Sequence, residues 1–584
     1  MTPGPGTDKP VLIVGAGPTG LALALQLALR GIGYRIIDKA NGPGETSRAM
    51  GVQARTLEFY DQIGIAEEVV ALGTPMDSIR LRDGATSVAR INFSEIGKGL
   101  SPFPFMLGFP QDEHERFLIA KLAALGVAVE WNTALETFAQ NNEGIEATLS
   151  SKVGLTRHRP EYLCGCDGSH SRVREVSGIG FPGGTYDQLF WLADVHATGK
   201  PVGEMFGHVD REAMVMMMTI RTSGTQRLVG FVPQRLEGKP SLTFEDLRPM
   251  VERMLGVAVT NVEWFSTYRV HHRVVDRFRD GRLFLLGDAG HVHSPAGGQG
   301  MNTGIGDAVN LGWKIAHVLQ GRADEQLLST YEEERIPFAR LLVKTTDRSF
   351  ELVIDQGIKG TLLRNWIIPH VAPLAARFKF FKRMLFRAMS QIRISYQGSA
   401  LSTGQAGSIS GGDRLPWVQT ATGSNFESLR SMDWQMHVYG DVGEAMENHC
   451  RTLGLALHQI EWSKAAERAG LERDACYAIR PDGYVGLAMA AQDPAALDLY
   501  IRQSSLRFGA CSTAGSQPDI DPQTRPTLCQ STPQVAPNVL TTDKWVLTLP
   551  YKDLPNRQSA YVHSMHFAIA VSTFDILNSR SHQN

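Results

Sequence analysis

The sequence predicts an α/β fold organised around a Rossmann-like dinucleotide-binding unit, and three observations carry that expectation. The apolar run Val11-Leu-Ile-Val14 leads directly into Gly15-Ala-Gly17-Pro-Thr-Gly20 and then into Leu21–Arg30, a stretch rich in strong helix formers. Farther on, Tyr162-Leu-Cys164 is followed by Gly-Cys-Asp167-Gly168, and Leu283-Phe-Leu-Leu286 by Gly287-Asp288. In each case a short apolar strand ends on a turn of small residues.

Taken in order, the first signature has the chemistry of a phosphate cradle. Gly15 permits the tight turn, Gly17 lets the backbone approach a pyrophosphate, and Gly20 lets the helix pack on the strand. The helix N-terminus then faces the phosphate charge. Asp38, with Lys39 beside it, ends the next apolar run, Tyr34-Arg-Ile-Ile-Asp38. That is the position of a carboxylate that accepts from a ribose hydroxyl. An ordinary tight strand-to-helix turn is the plain alternative, and these residues alone leave NAD and FAD equally open.

Asp167-Gly168 precedes Ser171, Val173 and Val176 at helical spacing, so the pair sits in a strand-to-helix turn that is either structural or part of a cofactor site. At the third signature, Asp288 at a strand end is placed to accept from a ribityl hydroxyl or to share a pyrophosphate environment through water. Pro295-Ala-Gly-Gly-Gln-Gly300-Met301-Asn302 then gathers glycines before a helix expected from about Ile305 to Leu319. Its N-terminus offers backbone N–H groups to a flavin carbonyl as negative charge develops on a reduced ring. An anion-binding turn or a plain loop is the alternative.

Together these motifs resemble the class A flavoprotein aromatic hydroxylases, of the para-hydroxybenzoate hydroxylase and phenol hydroxylase fold. The matching residues are Gly15, Gly17, Gly20 and Asp38; Ser47-Arg48-Ala49 with Arg55-Thr-Leu-Glu58; Gln111; the Asp167 and Asp288 segments; Asn310-Leu-Gly-Trp-Lys314; and Tyr331-Glu-Glu-Glu-Arg335-Ile-Pro337. The resemblance covers about the first 345 residues. It implies that Asp38, Arg48, Gln111 and Asp288 hold FAD, with Met301 and Asn302 at the pyrimidine edge and Pro295 beside the reactive face. It also implies an interleaved fold: a FAD-binding domain from 9–180 and 275–345, with 81–99 outside its core, and an antiparallel substrate sheet from 181–274. A helical linker over 346–407 and a thioredoxin-like domain over 408–507 complete it, the latter matched through Arg480-Pro-Asp-Gly-Tyr-Val485. That domain carries no Cys-x-x-Cys pair, so it is expected to serve homodimer or domain contacts, not redox chemistry. A leader over 1–8 and an atypical tail over 508–584 have no counterpart.

Composition excludes other classes. A net charge of -2 with 20% charged residues of mixed sign gives nothing that steers the chain to nucleic acid. No run reaches the roughly 20 apolar residues of a membrane-spanning helix. Six scattered cysteines form neither a disulfide framework nor a metal cluster, so a cytoplasmic protein without metal is expected. The partner that remains is a small aromatic molecule.

By resemblance, NAD(P)H reduces FAD as a transient co-substrate, O₂ attacks flavin C4a, and the C4a-hydroperoxide transfers a hydroxyl to an electron-rich, phenolic or polyketide-like ring. An epoxidase or dearomatising hydroxylase of the same fold, or a flavin-binding regulatory or scaffold protein, are the alternatives. Candidates for polar help are Tyr268, His271, His272 and Arg273, with His293 beside Pro295. In phenol hydroxylases an aspartate follows the Ser-Arg-Ala segment, whereas Met50 stands here. The methionines of Ala213-Met-Val-Met-Met-Met-Thr219 fit either a pocket wall or sheet core.

Overall fold

The structure, a computed structural model, describes residues 10–508 except 46–48, 84–85, 142–143, 200–203, 210–213, 222, 240, 295–297, 355–378 and 422. The elements used below are, in chain order, β1 (Val11–Val14), α1 (Pro18–Ala28), β2 (Tyr34–Ile37), α2 (Ala54–Gln62), β3 (Ser78–Asp83), β4 (Thr86–Asn92), α3 (Gln111–Ala124), β5 (Tyr162–Gly165), α4 (Arg172–Ser177), β6 (Gly183–Thr198), β7 (Glu204–Val209), β8 (Met214–Thr219), β9 (Gln226–Phe231), α5 (Phe244–Leu255), β10 (Ala258–Val274), β11 (Leu283–Leu285), β12 (His291–Val292), α6 (Gly300–Leu319) and α7 (Ser329–Ile354).

The first layer is a parallel sheet in the order β11-β5-β1-β2, with Arg279–Asp280 added antiparallel at the β11 edge. A parallel strand covered on both faces must be apolar throughout, and every residue of β1 is buried. Gly17 takes extended backbone at the N-cap of α1 and Pro18 supplies a preset first helical residue. The helix α6 lies against α1, and Gly312 permits that approach: a Cβ there would stand 2.7 Å from the Gln26 side chain.

A second sheet of eight strands runs β12-β10-β6-β9-β8-β7-β3-β4, antiparallel except where β7 pairs with β3. Alternation along each strand divides its side chains between two faces. Trp191, Val215, Met217 and Leu228 pack under α5, against Phe244, Leu247 and Val251. Met216, Met218 and Val229 point the other way, where they meet Met50, Ala54, Met106 and Phe103 of the dinucleotide-binding layer. Met216, Met217 and Met218 thus all pack in hydrophobic clusters, on the two faces of the sheet, as the sheet-core reading expects.

Three boundaries differ from expectation. The strands β3 and β4 lie inside the 9–180 segment, yet β3 pairs with β7, so 78–92 extends the antiparallel sheet. Thr403–Ala406 pairs in parallel with Val485–Met489, so the C-terminal sheet begins inside the expected linker. The helix α6 starts at Gly300, five residues before Ile305, because Gly304 and Gly306 pack so tightly that the glycine-rich turn itself is helical.

The C-terminal sheet has six strands, in the order 409–410, 403–406, 485–489, 476–479, 435–439, 456–460. Helices Glu444–Leu453 and Pro494–Gln503 cover one face, together with Trp313 from α6. The expected 508–584 tail and the two cysteines within it, Cys511 and Cys529, lie almost wholly outside the described residues, as does the leader. Among the described residues no helix is long and apolar enough to cross a membrane, and no cluster of His, Cys, Asp and Glu is disposed to hold a metal ion.

Candidate active site

The three signatures meet at one end of the parallel sheet, and their contacts are made largely by backbone. Gly15 adopts a left-handed φ of +105°, and a Cβ on it would lie 2.4 Å from the carbonyl oxygen of Cys166, so the first and second signatures touch. A Cβ on Gly20 would fall 2.0 Å from the Gly15 carbonyl oxygen, which ties the start of α1 to its own turn. Gly287 and Gly304 both close on the Thr19 hydroxyl, at 2.6 and 2.2 Å from their would-be Cβ atoms, which joins the third signature to the first. Gly17 faces open space, with nothing within 4 Å of a Cβ, as does Gly168 of the second signature at a φ of +79°. A cradle closed behind Gly15 and Gly20 and open before Gly17 fits a pyrophosphate at the α1 N-terminus.

Around it the expected ligands fall into distinct groups. Asp38 ends β2 half-buried, accepting from the N–H of Ala16 at 2.7 Å and of Ala40 at 2.8 Å, which fixes its carboxylate at the rim of the cradle; Lys39 is exposed beside it. Gln111 opens α3, accepts from the Ala49 N–H at 3.4 Å and donates to Glu115 at 2.9 Å. Burial pushes the Glu115 carboxyl up, against hydrogen bonds from Gln111 and Gly44, and Asp38 and Asp112 add to the rise. Asp288 is exposed in the turn after β11. Arg48 and Pro295 lie outside the described residues.

Two expected ligands have other partners. The Asp167 carboxylate accepts from the Ser171 hydroxyl at 2.5 Å and the Val173 N–H at 3.1 Å, so it shapes the N-terminus of α4 and its side chain is committed to the turn. Asn302 is fully buried, with its amide spent within the protein. Its Oδ1 accepts from the Gln53 N–H at 2.9 Å and the Thr56 hydroxyl at 2.8 Å, and its Nδ2 donates to the carbonyls of Gly51 and Gly298, both at 2.8 Å. What α6 offers a ligand is backbone: the N–H groups of Gly300, Met301 and Asn302, which a helix leaves without intrahelical acceptors. Asn302 anchors that turn to α2.

The catalytic candidates are not brought together. Tyr268 lies on the inner face of β10, stacked on Phe190 at 5.5 Å, and burial pushes its phenol up. By alternation His271 and Arg273 point to the opposite face. His271 is exposed and shares a hydrogen bond with Thr185 at 2.7 Å; burial and then the Arg273 charge lower its imidazole. Arg273 sits where β10 meets β12, its guanidinium 6.0 Å from the Phe181 ring, and its Nε has no partner. His272 meets Tyr186 edge-on at 4.5 Å.

Sequence reasoning missed Asp307, the buried carboxylate behind the third signature. It accepts from the Gly287 N–H at 3.0 Å, pairs with His291 at 2.8 Å and with Arg335 at 2.6 Å. Burial works to raise this carboxyl, but Arg335 and His291 outweigh it and hold it below the ordinary carboxylate range. A charged residue on a helix otherwise buried on every side was its one signal in the sequence. His293 stacks 6.4 Å from His291, its Nδ1 bonded to the Ser294 carbonyl, and burial lowers its imidazole to about 4.

Glycine turns from three strands converging on one cradle, with a mixed sheet facing it, define a flavoprotein hydroxylase. The comparisons agree. The family model described as FAD binding domain matches residues 8–346, and the chain belongs to that family. A flavin-dependent monooxygenase of Mycobacteroides abscessus is 32% identical over 495 residues, 82% of this chain and 96% of the relative. The 6-methylpretetramide 4-monooxygenase of Streptomyces rimosus is 36% identical over 422 residues, 70% of this chain and 73% of the relative. Among solved structures, a ternary complex of aklavinone-11 hydroxylase with FAD and aklavinone shares the fold, with a TM-score of 0.71 at 23% identity over 86% of this chain and all of that one. This chain is a FAD-dependent monooxygenase.

Proposed function

We propose that the protein hydroxylates a phenolic or polyketide-like aromatic at the expense of NAD(P)H and O₂, in the cytoplasm, as a monomer or homodimer. The observation that carries the reading is the convergence of three glycine signatures opposite a sheet face of methionine and aromatic side chains. Bound FAD supplies the electron transfer to O₂ that no side chain can perform.

The chain's own residues bind, orient and exclude water. Gly15, Gly17 and Gly20 receive the pyrophosphate, Asp38 the ribose, and Gln111 and Asp288 the remaining polar edges of the cofactor. The first-turn N–H groups of α6 face the flavin ring, where they favour negative charge. Asp307 acts at one remove, holding the Gly287 turn and His291 in place. The inner face of β6, β8, β9 and β10 presents an apolar surface to the aromatic ring and keeps water from the reacting centre. Arg273 and Tyr268 are proposed at opposite faces of β10, Tyr268 toward substrate, and His271 at the rim. Cytoplasmic placement is supported by Cys164, Cys166, Cys450 and Cys476, all buried free thiols. The C-terminal module, which we read as thioredoxin-like, serves domain contacts through Asp482 and Arg480.

The test is the visible spectrum of the purified protein, then NAD(P)H oxidation with and without a panel of phenols while H₂O₂ is assayed. Bound flavin with phenol-stimulated, low-peroxide turnover is expected. Flavin without any ligand response defeats the substrate assignment, and so does a flavin-loaded protein whose only response to every ligand is peroxide.

A further inference from the structure

The inner face of the antiparallel sheet carries a row in which a buried charge is neutralised internally. Register places Trp264 of β10 beside Asp194 of β6, Asp194 beside Arg227 of β9, and Arg227 beside Met218 of β8. Their neighbours fix the face: Leu228 packs under α5 whereas Val229 joins the cluster containing Met50, Met216 and Met218, so Arg227 shares the face of Val229. Ala193 and Val195 likewise lie under α5, which turns Asp194 to the same side as Arg227.

The pair is bidentate, Arg227 Nε to Asp194 Oδ1 and Nη2 to Oδ2, both at 2.7 Å. The guanidinium also lies 5.8 Å from the Trp264 ring. Burial is unequal. The Arg227 side chain has no exposure, while Asp194 retains 11%. A ligand lying on this face therefore meets the back of a carboxylate, not a cation. Along β6 the next position on this face is His196, which shares a hydrogen bond with Glu263 at 2.7 Å; toward the other end of the strands the adjoining positions are apolar or bear hydroxyls, as with Leu192, Met216, Ser266 and Tyr268. Arg80 lies on the other face, paired with Glu204.

We infer that Asp194 is a specificity-determining residue: by capping Arg227 it sets the face for an uncharged aromatic and rejects a ring bearing a carboxylate. This rests on the proposed aromatic hydroxylase reading and names the substrate class within it. An anionic group on the face would stand against Asp194 with its guanidinium partner already engaged, a repulsive element of the kind that separates similar ligands. Met50 adds apolar surface to the same cluster.

The test is equilibrium binding of a naphthol and the corresponding hydroxynaphthoate to the FAD-loaded full chain, followed by perturbation of the flavin spectrum. The unaltered protein is expected to bind the naphthol at least about tenfold more tightly. Asp194→Asn removes the carboxylate charge beside Arg227 and should shift the ratio about tenfold or more toward the hydroxynaphthoate, and adding Arg227→Gln should reverse that shift. Because a buried cation left alone is destabilising, Asp194→Leu with Arg227→Met supplies an uncharged pair, expected to hold naphthol affinity within about threefold and to keep the preference. Preference for the hydroxynaphthoate in the unaltered protein, binding of neither ligand, or an unchanged ratio in folded Asp194→Asn overturns the inference. Loss of naphthol binding by the uncharged pair overturns it too, since the ion pair would then itself serve the ligand. Failure of the underlying hydroxylase reading is seen separately, as absence of phenol-stimulated NAD(P)H oxidation in the unaltered, FAD-loaded chain.

Discussion

Two regions of this molecule hold the chain together by opposite means. At the nucleotide end, strands and helices approach through glycines, and the contacts that matter are backbone to backbone, as between Gly20 and the Gly15 carbonyl. At the seam between α6, α7 and the C-terminal sheet, the contacts are charged side chains wholly out of water. Glu334 accepts from Lys314 at 2.7 Å, from Asn310 at 2.6 Å, from the Ser399 hydroxyl at 2.8 Å, and from Arg480 at 2.7 and 2.9 Å. Arg480 also meets Asp482, to which the Trp313 indole donates at 3.0 Å. The first region leaves polar backbone for a ligand, and in the second the buried charges of Glu334, Lys314, Arg480 and Asp482 are spent on one another. A binding site and a structural joint can thus be told apart by whether their polar groups are already satisfied.

The sharpest way to break the comparison is at the glycines. Gly20→Val forces two branches against a carbonyl already 2.0 Å from the Cβ position, and should cost more than about 4 kcal/mol, reading out as loss of folded, flavin-bearing protein. Next is the seam. Glu334→Ala leaves Lys314 and Arg480 buried with less counter-charge and should lower stability by about 3–5 kcal/mol in denaturant titration. FAD affinity of the folded fraction should change far less, which separates the joint from the site.

Acidification sharpens the contrast further. Burial holds His114 and His437 neutral down to about 3 and His293 down to about 4. The unfolded chain takes up these protons near pH 6.5, the folded chain only well below it, so the unfolded state binds more protons in between. Stability should fall as pH drops from about 6.5 toward 4, by up to about 1.4 kcal/mol per pH unit for each imidazole. His293→Gln should shallow that slope. The smallest effect is expected at the surface: Leu155 is 72% exposed on the hairpin that pairs 154–158 with 147–151, and Leu155→Ser should change stability by less than about 0.5 kcal/mol in the same titration.

The nucleotide end was legible in the sequence because glycine at fixed offsets from an apolar strand has few physical explanations. Gly15, Gly17 and Gly20 needed no tertiary knowledge. The role of Asn302 did not emerge, since its four partners come from Gly51, Gln53, Thr56 and Gly298, and no local pattern announces an amide that ties α6 to α2. Asp307 and Glu334 were hidden likewise: a carboxylate on a helix reads as a solvated face until Arg335, Lys314 and Arg480 are brought to it from distant segments. The strands β3 and β4 escaped assignment because pairing with β7 spans more than a hundred residues of sequence. Local chemistry was readable, and long-range satisfaction of buried charge was not.

The most direct test of the central claim is the stoichiometry of FAD binding to the full chain and to Gly17→Val, where open space before the glycine means the fold tolerates a side chain that the pyrophosphate does not. The account predicts one FAD per unaltered chain and weak or absent binding by a variant that still melts like the parent. Undiminished FAD binding by that folded variant would contradict it, since the cradle would then lie elsewhere.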